Sequence, residues 1–388
     1  MDRESLKYWL ALSAVEDVGC VNFRSLLKAF ASPREVFSAP GYTLQVIPGI
    51  GPKIADHLRS FSSWKKIEEQ LDYVEKTGAE IITFNDPRYP RNLLNIYDYP
   101  PFLYVRGSLL PNELSVALVG SRLASVYGRF TTEKLGRELA LKGITIVSGL
   151  ARGIDSAAHR GALAAKGRTI AVLGTGIDRI YPPENEELAA EIIKNGALVS
   201  EFSPGTPPNA PNFPARNRII SGISLGVVVV EAGAKSGSLI TARIAAEQGR
   251  SVFAVPGEIG ASGSKGTNRL IRQGATLIEG VDDILEELYP QIADRPAIEK
   301  ETLPSAEPQD QPASDDTKAS PPRLPPEKTL TDEEKTLFSL LSSSPTGVDT
   351  LVEKSGMTAG AVQGALLTLE LGGLIKRLPG KQFSLKES

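Results

Sequence analysis

Short apolar runs alternate with longer helical patterns through the middle of the chain. Seven apolar runs predict strands at 116–119, 144–148, 169–173, 198–200, 227–230, 252–255 and 276–278. These runs contain few polar residues, which is typical of strands buried on both faces of a parallel sheet. Between several of them, apolar positions at helical spacing predict helices at 129–141, 154–166, 186–194 and 239–248. The alternation predicts a doubly wound, Rossmann-like α/β domain.

The region before this domain has a helical pattern throughout, and we assign residues 1–80 to a helical domain. A turn at 47–55, with Gly49 and Gly51, resembles a helix-hairpin-helix element, and Val18-Gly19 resembles a degenerate first copy. The exposed amides of such a turn can face a phosphate. The alternative is a turn that packs without touching DNA, and the small number of basic residues around it leaves both interpretations open.

The region after the α/β domain begins with a segment that is rich in proline. Residues 289–328 contain nine prolines and almost no bulky apolar residues, which predicts an extended linker. Residues 329–388 then show three helical patterns and two short strands, at 374–378 and 382–385, as in a winged helix. The third helix, 358–371, contains no Lys or Arg, so we favour protein contact or weak DNA contact over sequence-specific DNA reading.

Composition and charge narrow the class of protein. The 388 residues suggest two or three domains, here 1–80, 81–288 and 329–388, and no apolar run reaches membrane-spanning length. The charged N-terminal residues do not resemble a signal peptide, so we expect a soluble cytoplasmic protein. One Cys and two His are too few for an internal disulfide or a Cys- or His-based metal cluster. The whole chain carries a net charge of −3, but residues 115–280 carry an excess of six positive charges, compatible with a polyanionic partner.

Candidate ligand-binding residues follow the predicted strands. In a doubly wound sheet, ligands bind at the carboxyl ends of the strands, where the strand order reverses. Glycine lets the backbone approach a ligand, helix N-termini favour anions, and arginine presents a fork matched to phosphate. Each such loop taken singly is also compatible with a structural turn. The two segments of this kind that we select are Gly120-Ser121-Arg122, and Lys235-Ser236-Gly237-Ser238 before a predicted helix.

A third segment, 212–220, combines an aromatic ring with basic and amide side chains. Phe213 can stack on a base, and Arg216 and Arg218, which flank Asn217, can hold the adjacent phosphates. The alternative is that Phe213 belongs to the core and that the arginines lie in a basic surface turn.

Motifs for cofactor binding and catalysis are weak. Neither a G-x-G-x-x-G fingerprint nor a Walker lysine loop is present, so we expect no nucleotide cofactor. Asp155, Ser156 and His159 are residue types used in nucleophilic chemistry, but we favour a structural role in which Asp155 caps a helix and His159 packs or hydrogen-bonds against it. We therefore expect no catalytic residues.

The strings Val119-Gly120-Ser121-Arg122, Ser148-Gly149-Leu150-Ala151-Arg152-Gly153-Ile154-Asp155 and Phe213-Pro214-Ala215-Arg216-Asn217-Arg218 resemble the DNA-processing protein A family (DprA, or Smf). The similarity runs from about residue 89 to residue 280. It implies a protein that binds and protects single-stranded DNA, helps to load the RecA recombinase during natural transformation, and dimerises through its Rossmann-like domain without enzymatic turnover. It also implies a DNA pocket, which maps here to Gly120, Ser121, Arg122, Phe213, Arg216, Asn217 and Arg218, with Lys235, Ser236, Gly237 and Ser238.

Two other classes of function compete with this one. A Rossmann-like hydrolase of nucleotides or nucleoside monophosphates would use Asp155 and Glu231, but it usually needs a Pro-Gly-Gly-x-Gly-Thr loop where this chain has Pro256-Gly257-Glu258. A transcription regulator led by the winged helix is disfavoured by the third helix, which lacks basic residues. We expect Arg122 to be open to solvent and to bind phosphate; the alternative is that it fixes its loop by bonding to a carboxylate such as Glu231.

Overall fold

The computed structural model describes residues 1–293, 332–341, 346–358, 362, 364–366, 369, 375–378 and 382–385. These residues divide into two units, Met1–Glu301 and Thr302–Ser388. Most of the predicted linker, and much of the predicted third helix of the winged helix, lie outside the described residues. Among the residues that the model describes, none of the helices has the length and apolarity needed to cross a membrane.

Six helices precede the sheet and confirm the helical pattern at the start of the chain. Their bounds are α1 Arg3–Ser13, α2 Cys20–Ala29, α3 Pro33–Ser38, α4 Gly41–Gln45, α5 Pro52–Arg59 and α6 Trp64–Lys76. Their apolar faces share one core with part of the sheet, so that Trp9 and Phe23 belong to the same cluster as Phe102 and Tyr104. The helical segment therefore packs directly on the α/β segment.

The turn predicted as a helix-hairpin-helix joins α4 to α5. Gly51 precedes α5, and Pro52 occupies its first turn, where a missing N–H group costs no helical hydrogen bond. Gly49 has a φ of 89°, and a Cβ atom there would lie 2.6 Å from Oδ1 of Asn22 in α2. Lys53 pairs with Asp17 at 2.7 Å. The turn thus rests against the residues of the degenerate first copy, and DNA contact by this element stays a prediction.

A nine-stranded sheet forms the centre of the first unit. Its strands are β1 Glu80–Thr83, β2 Phe102–Gly107, β3 Ser115–Val119, β4 Thr145–Ser148, β5 Thr169–Val172, β6 Gly196–Ser200, β7 Gly226–Val229, β8 Ser251–Ala254 and β9 Thr276–Leu277. The order across the sheet is β1-β2-β6-β5-β4-β3-β7-β8-β9. Strands β3 to β9 are parallel, as predicted, whereas β2 pairs antiparallel with both β1 and β6. The pattern analysis did not predict β1 and β2.

Helices on both faces of the sheet complete the doubly wound fold. They are α7 Val126–Leu141, α8 Ile154–Ala164, α9 Glu186–Lys194, α10 Asn212–Ile223, α11 Ser238–Glu247, α12 Lys265–Arg272 and α13 Val281–Ala293. Alternate residues of β3 serve the two layers: Val116 and Leu118 pack with the buried residues of α7, α8 and α13, and Ala117 and Val119 pack with those of α10 and α11. This arrangement confirms the predicted fold class and explains why the strands are almost wholly apolar.

Helix α13 extends beyond residue 289, where the predicted linker begins. Leu288 and Ile292 lie one turn apart, and both pack on the core that includes Val281 and Ile284. These contacts continue the helix through Pro290 to Ala293.

In the second unit, α14 Asp332–Leu340 and α15 Val348–Ser355 accompany three short strands, β10 Thr346–Gly347, β11 Ile375–Leu378 and β12 Gln382–Leu385. Strands β11 and β12 pair antiparallel as the predicted wing.

Candidate nucleic-acid interface

The strand order reverses between β3 and β7, and the loops that follow these two strands lie side by side. From β3 the chain runs through β4 and β5 to β6, and it then returns through α10 to β7 on the other side of β3. The amide of Ser121, after β3, donates to the carbonyl of Glu231, after β7, at 2.7 Å. A sheet of this kind opens a crevice at that point.

Two glycines permit the tight packing of the loop after β3. A Cβ atom at Gly120 would lie 2.5 Å from Cγ1 of Ile154 and 2.8 Å from the carbonyl oxygen of Glu231. Gly153 has a φ of 73°, and a Cβ atom there would meet the carbonyl oxygen of Arg122 at 2.7 Å. The amide of Ile154 closes the contact by donating to the carbonyl of Ser121 at 3.1 Å. The loop that carries Arg122 is therefore held in place by its backbone, and the Arg122 side chain is not needed for this purpose.

An open cleft of about 830 Å³ lies above this switch point. All of the predicted site residues except Arg218 line it, which brings together three segments that are far apart in the sequence. Those residues are Gly120, Ser121, Arg122, Phe213, Arg216, Asn217, Lys235, Ser236, Gly237 and Ser238. Their role in binding DNA stays a prediction.

Arg122 and Phe213 face each other in the cleft. The guanidinium carbon of Arg122 lies 5.3 Å from the centre of the Phe213 ring, within the range of a cation–π contact. The ring of Tyr181 lies 5.8 Å from that of Phe213. Arg122 is exposed and Phe213 is half-buried, so an arginine plane and two aromatic rings are open to a ligand. The structure does not support the alternative in which Arg122 bonds to Glu231.

The opposite side of the cleft carries Lys235 and the first turn of α11. Lys235 is exposed, and among the described residues neither Lys235 nor Arg122 has an ion-pair partner. The hydroxyls of Ser236 and Ser238 lie 2.8 Å apart at the N-terminus of α11, where backbone amides favour an anion. This side therefore combines a free cation with hydroxyl and amide donors.

Arg216 lies at the buried base of the cleft, and its guanidinium forms hydrogen bonds within the protein. The residue is 4% exposed, and it donates to the carbonyl of Gly149 at 2.7 Å and to the carbonyl of Val172. Burial lowers the pKa of Arg216 to about 10. Arg216 thus ties the loop after β4 to the end of β5, and its contacts do not match the predicted grip on a phosphate above the sheet.

Arg218 is turned away from the cleft. It pairs with Glu201, and its Nε atom lies 3.2 Å from Oδ2 of Asp98. The pattern analysis predicted no helix over 212–220, whereas this segment belongs to α10. Residues two apart on a helix are separated by about 200°, so Arg216 and Arg218 cannot both face one ligand. The placement of Arg218 in the pocket was therefore wrong.

Asp155 and His159 have separate partners. Oδ2 of Asp155 accepts from the amide of Ala151 at 3.3 Å, and Nδ1 of His159 lies 2.7 Å from Oγ1 of Thr169. Since that hydroxyl donates to the carbonyl of Ile146, it accepts from Nδ1–H of His159. Burial lowers the pKa of His159 to about 3. Burial also raises the pKa of Asp155, and the positive charge of Arg216 opposes this rise. The expected contact between Asp155 and His159 is replaced by these two bonds.

Glu231, the second carboxylate of the hydrolase alternative, serves the loop after β3. Its Oε2 atom accepts from Oγ of Ser125 at 2.5 Å, and from the amide of Ser125 at 3.1 Å. Ser125 is in turn the N-cap of α7. Glu231 is thus engaged in fixing the start of a helix, and this arrangement gives the hydrolase alternative no support.

The predicted set omitted Tyr181 and Thr241, which also line the cleft. Tyr181 lies nine residues after the last residue of β5, so its position depends on the loop and gives no periodic signal. Thr241 lies one helical turn after Gly237, on the same face of α11 as the start of the helix. The helical spacing of α11 was the available signal for Thr241.

The fold and the cleft define a Rossmann-like protein with an open cleft at its switch point and a winged-helix module. A family model described as DNA recombination-mediator protein A matches residues 80–289, and a DprA winged helix domain model matches residues 320–381. The chain belongs to the DNA recombination-mediator protein A family.

Individual relatives cover most of the chain. Protein Smf of Escherichia coli (strain K12) is 42% identical over 327 residues, which span 84% of this chain and 82% of that protein. Protein Smf of a Synechocystis strain is 35% identical over 402 residues, spanning 99% of both chains. Among solved structures, DNA processing protein A from Streptococcus pneumoniae superposes with a TM-score of 0.63 at 36% identity, over 72% of this chain and 97% of that one.

Proposed function

We propose that the cleft binds single-stranded DNA without sequence preference, and that the chain is a DNA-processing protein of recombination and natural transformation. The observation that carries the proposal is the Arg122 guanidinium over the Phe213 ring, across the cleft from Lys235. Neither cation is neutralised by a carboxylate of the described residues, and the aromatic faces beside them suit unpaired bases. Base faces are accessible only when the bases are unpaired, which favours a single strand over a duplex.

A titration against single-stranded and duplex DNA of equal length tests this proposal. We expect the single strand to bind more tightly, whatever its sequence. The protein should be used as the full chain, with fluorescence anisotropy as the readout. Equal affinity for the two forms would contradict the proposal, and a strong dependence on base sequence would contradict the stacking argument.

We also propose that the chain has no nucleotide-hydrolysing activity. The arrangement of its carboxylates supports this, because Glu231 bonds to Ser125, and Asp155 is buried in the first turn of α8, where it accepts from the amide of Ala151. Purified protein should release no product from nucleoside mono- or triphosphates. Product that disappears in Asp155→Ala would replace this proposal with the hydrolase alternative.

The proposal extends to two partners that the family resemblance implies: a RecA-type recombinase that receives the strand, and a second copy bound through the Rossmann-like domain. The edge of the sheet at β9 supports a contact between copies, since Leu277 in that strand is 44% exposed. Light scattering should give the mass of a dimer, and a chain that stays monomeric at micromolar concentration would contradict the proposed dimer.

The proposed contact with the recombinase is tested by the rate at which the recombinase assembles on single strands coated with this protein. Faster assembly would support the contact, and an unchanged assembly rate would contradict it.

A further inference from the structure

Helix α7 presents a stripe of large side chains to solvent beside the cleft. Tyr127 is 64% exposed and Phe130 is 68% exposed, and Leu123, just before the helix, is 90% exposed. Large apolar side chains on a surface helix normally face the core, so a continuous exposed set needs a physical reason. Solubility alone would favour polar residues at these positions.

The spacing places these side chains on one face. Tyr127, Phe130, Lys134 and Arg137 follow one another at intervals of three, four and three residues, which keeps them aligned along the helix. All four are exposed, and the contact of Lys134 with Glu138, at 4.0 Å, is a solvent-exposed i, i+4 pair of the weak kind. The distance from the first to the last is about 15 Å at 1.5 Å per residue. Aromatic rings therefore lie nearest to the cleft, and cations lie farther along the same line.

The other face of α7 is fixed against α8. Gly128, Thr132, Leu135, Gly136 and Leu139 are buried on that side. A Cβ atom at Gly136 would lie 2.9 Å from the carbonyl oxygen of Ala158 in α8, so the two backbones are in close contact. The stripe is thus carried by a rigid element that cannot rotate to bury its aromatic residues.

The stripe is continuous with the cleft, because Leu123 lines the cleft and precedes the helix by only three residues. A track that offers two aromatic faces followed by two cations suits a single strand, whose bases stack while its phosphates are neutralised. We propose that the stripe of Tyr127, Phe130, Lys134 and Arg137 is a second binding segment for single-stranded DNA, which receives the strand as it leaves the cleft. This inference rests on the proposed function of the cleft.

Binding as a function of oligonucleotide length separates the stripe from the cleft. The probes are oligothymidylates of 6 and 20 nucleotides, titrated with the full chain. The double variant Tyr127→Ala/Phe130→Ala should bind the 20-mer about tenfold more weakly than the wild type, since each lost stacking contact weakens binding several-fold or more. Its affinity for the 6-mer should be unchanged. Tyr97→Ala provides a matched control, because Tyr97 is 79% exposed and lies in the loop between β1 and β2, outside the set of residues that line the cleft.

Two further comparisons make the result specific. Phe130→Tyr should bind the 20-mer as tightly as the wild type because it keeps the aromatic face, whereas Phe130→Leu should bind it more weakly. If Phe130→Leu binds the 20-mer as tightly as the wild type, or if the alanine variant changes only self-association or recombinase binding, the stripe is a protein-docking surface and the inference is wrong. Equal affinities of the wild type and the double variant for the 20-mer would also overturn it.

Failure of the cleft proposal gives a different result. In that case the wild type does not bind the 6-mer, and Arg122→Ala has no effect on either probe. Normal binding of the 6-mer that is sensitive to Arg122→Ala, together with a 20-mer affinity insensitive to the stripe, would contradict only the stripe.

Discussion

The cleft and the layer beneath it use the same type of side chain in opposite ways. In the cleft, Arg122 is exposed and lies over an aromatic ring. In the layer below, Arg216 is buried under backbone carbonyls, and Arg218 is held by Glu201 and Asp98. A cation whose hydrogen bonds are already made within the protein has little left for a ligand. The comparison teaches that pairing and burial, rather than residue type, separate a binding arginine from a structural one.

Removing Arg216 should cause the largest effect, and the effect should be on folding. Arg216→Ala leaves the carbonyls of Gly149 and Val172 without this donor and opens a cavity, so the free energy of unfolding should fall by about 3 kcal/mol. Urea denaturation measures the change. The control is Arg152→Ala, which removes an exposed ion pair with Glu184 and should leave the midpoint of urea denaturation nearly unchanged. An Arg216→Ala protein of normal stability would contradict the claim that Arg216 is structural and Arg122 is not.

Removing Arg122 should weaken the binding of single-stranded DNA and leave the stability of the protein unchanged. Arg122→Ala should weaken single-strand binding by about 2 kcal/mol, roughly thirtyfold, because a charge-assisted contact with phosphate is lost. The melting temperature should stay within about 2 °C of the wild type, since the loop after β3 is fixed by backbone contacts. Arg122→Lys should recover only part of the affinity. A loss of stability in proportion to the loss of binding would show that Arg122 is structural as well.

The free energy of unfolding should also depend on pH, because His159 is buried. Burial lowers the pKa of His159 to about 3 from its ordinary value of about 6.5, so between these two values the unfolded chain is protonated at His159 and the folded chain is not. Stability from this residue is therefore complete above pH 6.5 and declines as the pH falls toward 3. Between pH 7 and 5.5 the loss should be about 1 kcal/mol. His159→Gln should lack this part of the decline, and an identical pH profile in that variant would exclude His159 as its source.

Deleting the second unit should have the smallest effect on the cleft. A chain that ends at Ala293 keeps all of α13, including the packing of Leu288 and Ile292. Its affinity for a short single strand should change by less than about twofold, because all of the described residues that line the cleft belong to the first unit. A large loss of affinity would place DNA contacts in the winged helix.

The sequence was sufficient to predict the seven parallel strands of the sheet and the location of the cleft. Buried parallel strands are almost wholly apolar, and a doubly wound order places its ligand at the switch point, so Gly120 and Lys235 were found by position. The antiparallel strands β1 and β2 were missed because they precede the alternating pattern.

The functional assignment of individual arginines was beyond the pattern. Pro214 and Asn217 obscure the helical character of α10, and without the helix the opposite directions of Arg216 and Arg218 are hidden. The partners that bury these arginines, such as Val172 and Glu201, lie far away in the sequence and are brought close only by the fold.

The salt dependence of single-strand binding tests the distinction between the two layers most directly. The logarithm of the binding constant should fall linearly with the logarithm of the salt concentration, with a slope of about 0.7 per phosphate neutralised. We predict that Arg122→Ala reduces the steepness of this slope by about 0.7, whereas Arg218→Ala, checked for folding by circular dichroism, leaves the slope of the wild type unchanged. A slope that is unaffected by the loss of Arg122 but reduced by the loss of Arg218 would contradict the account.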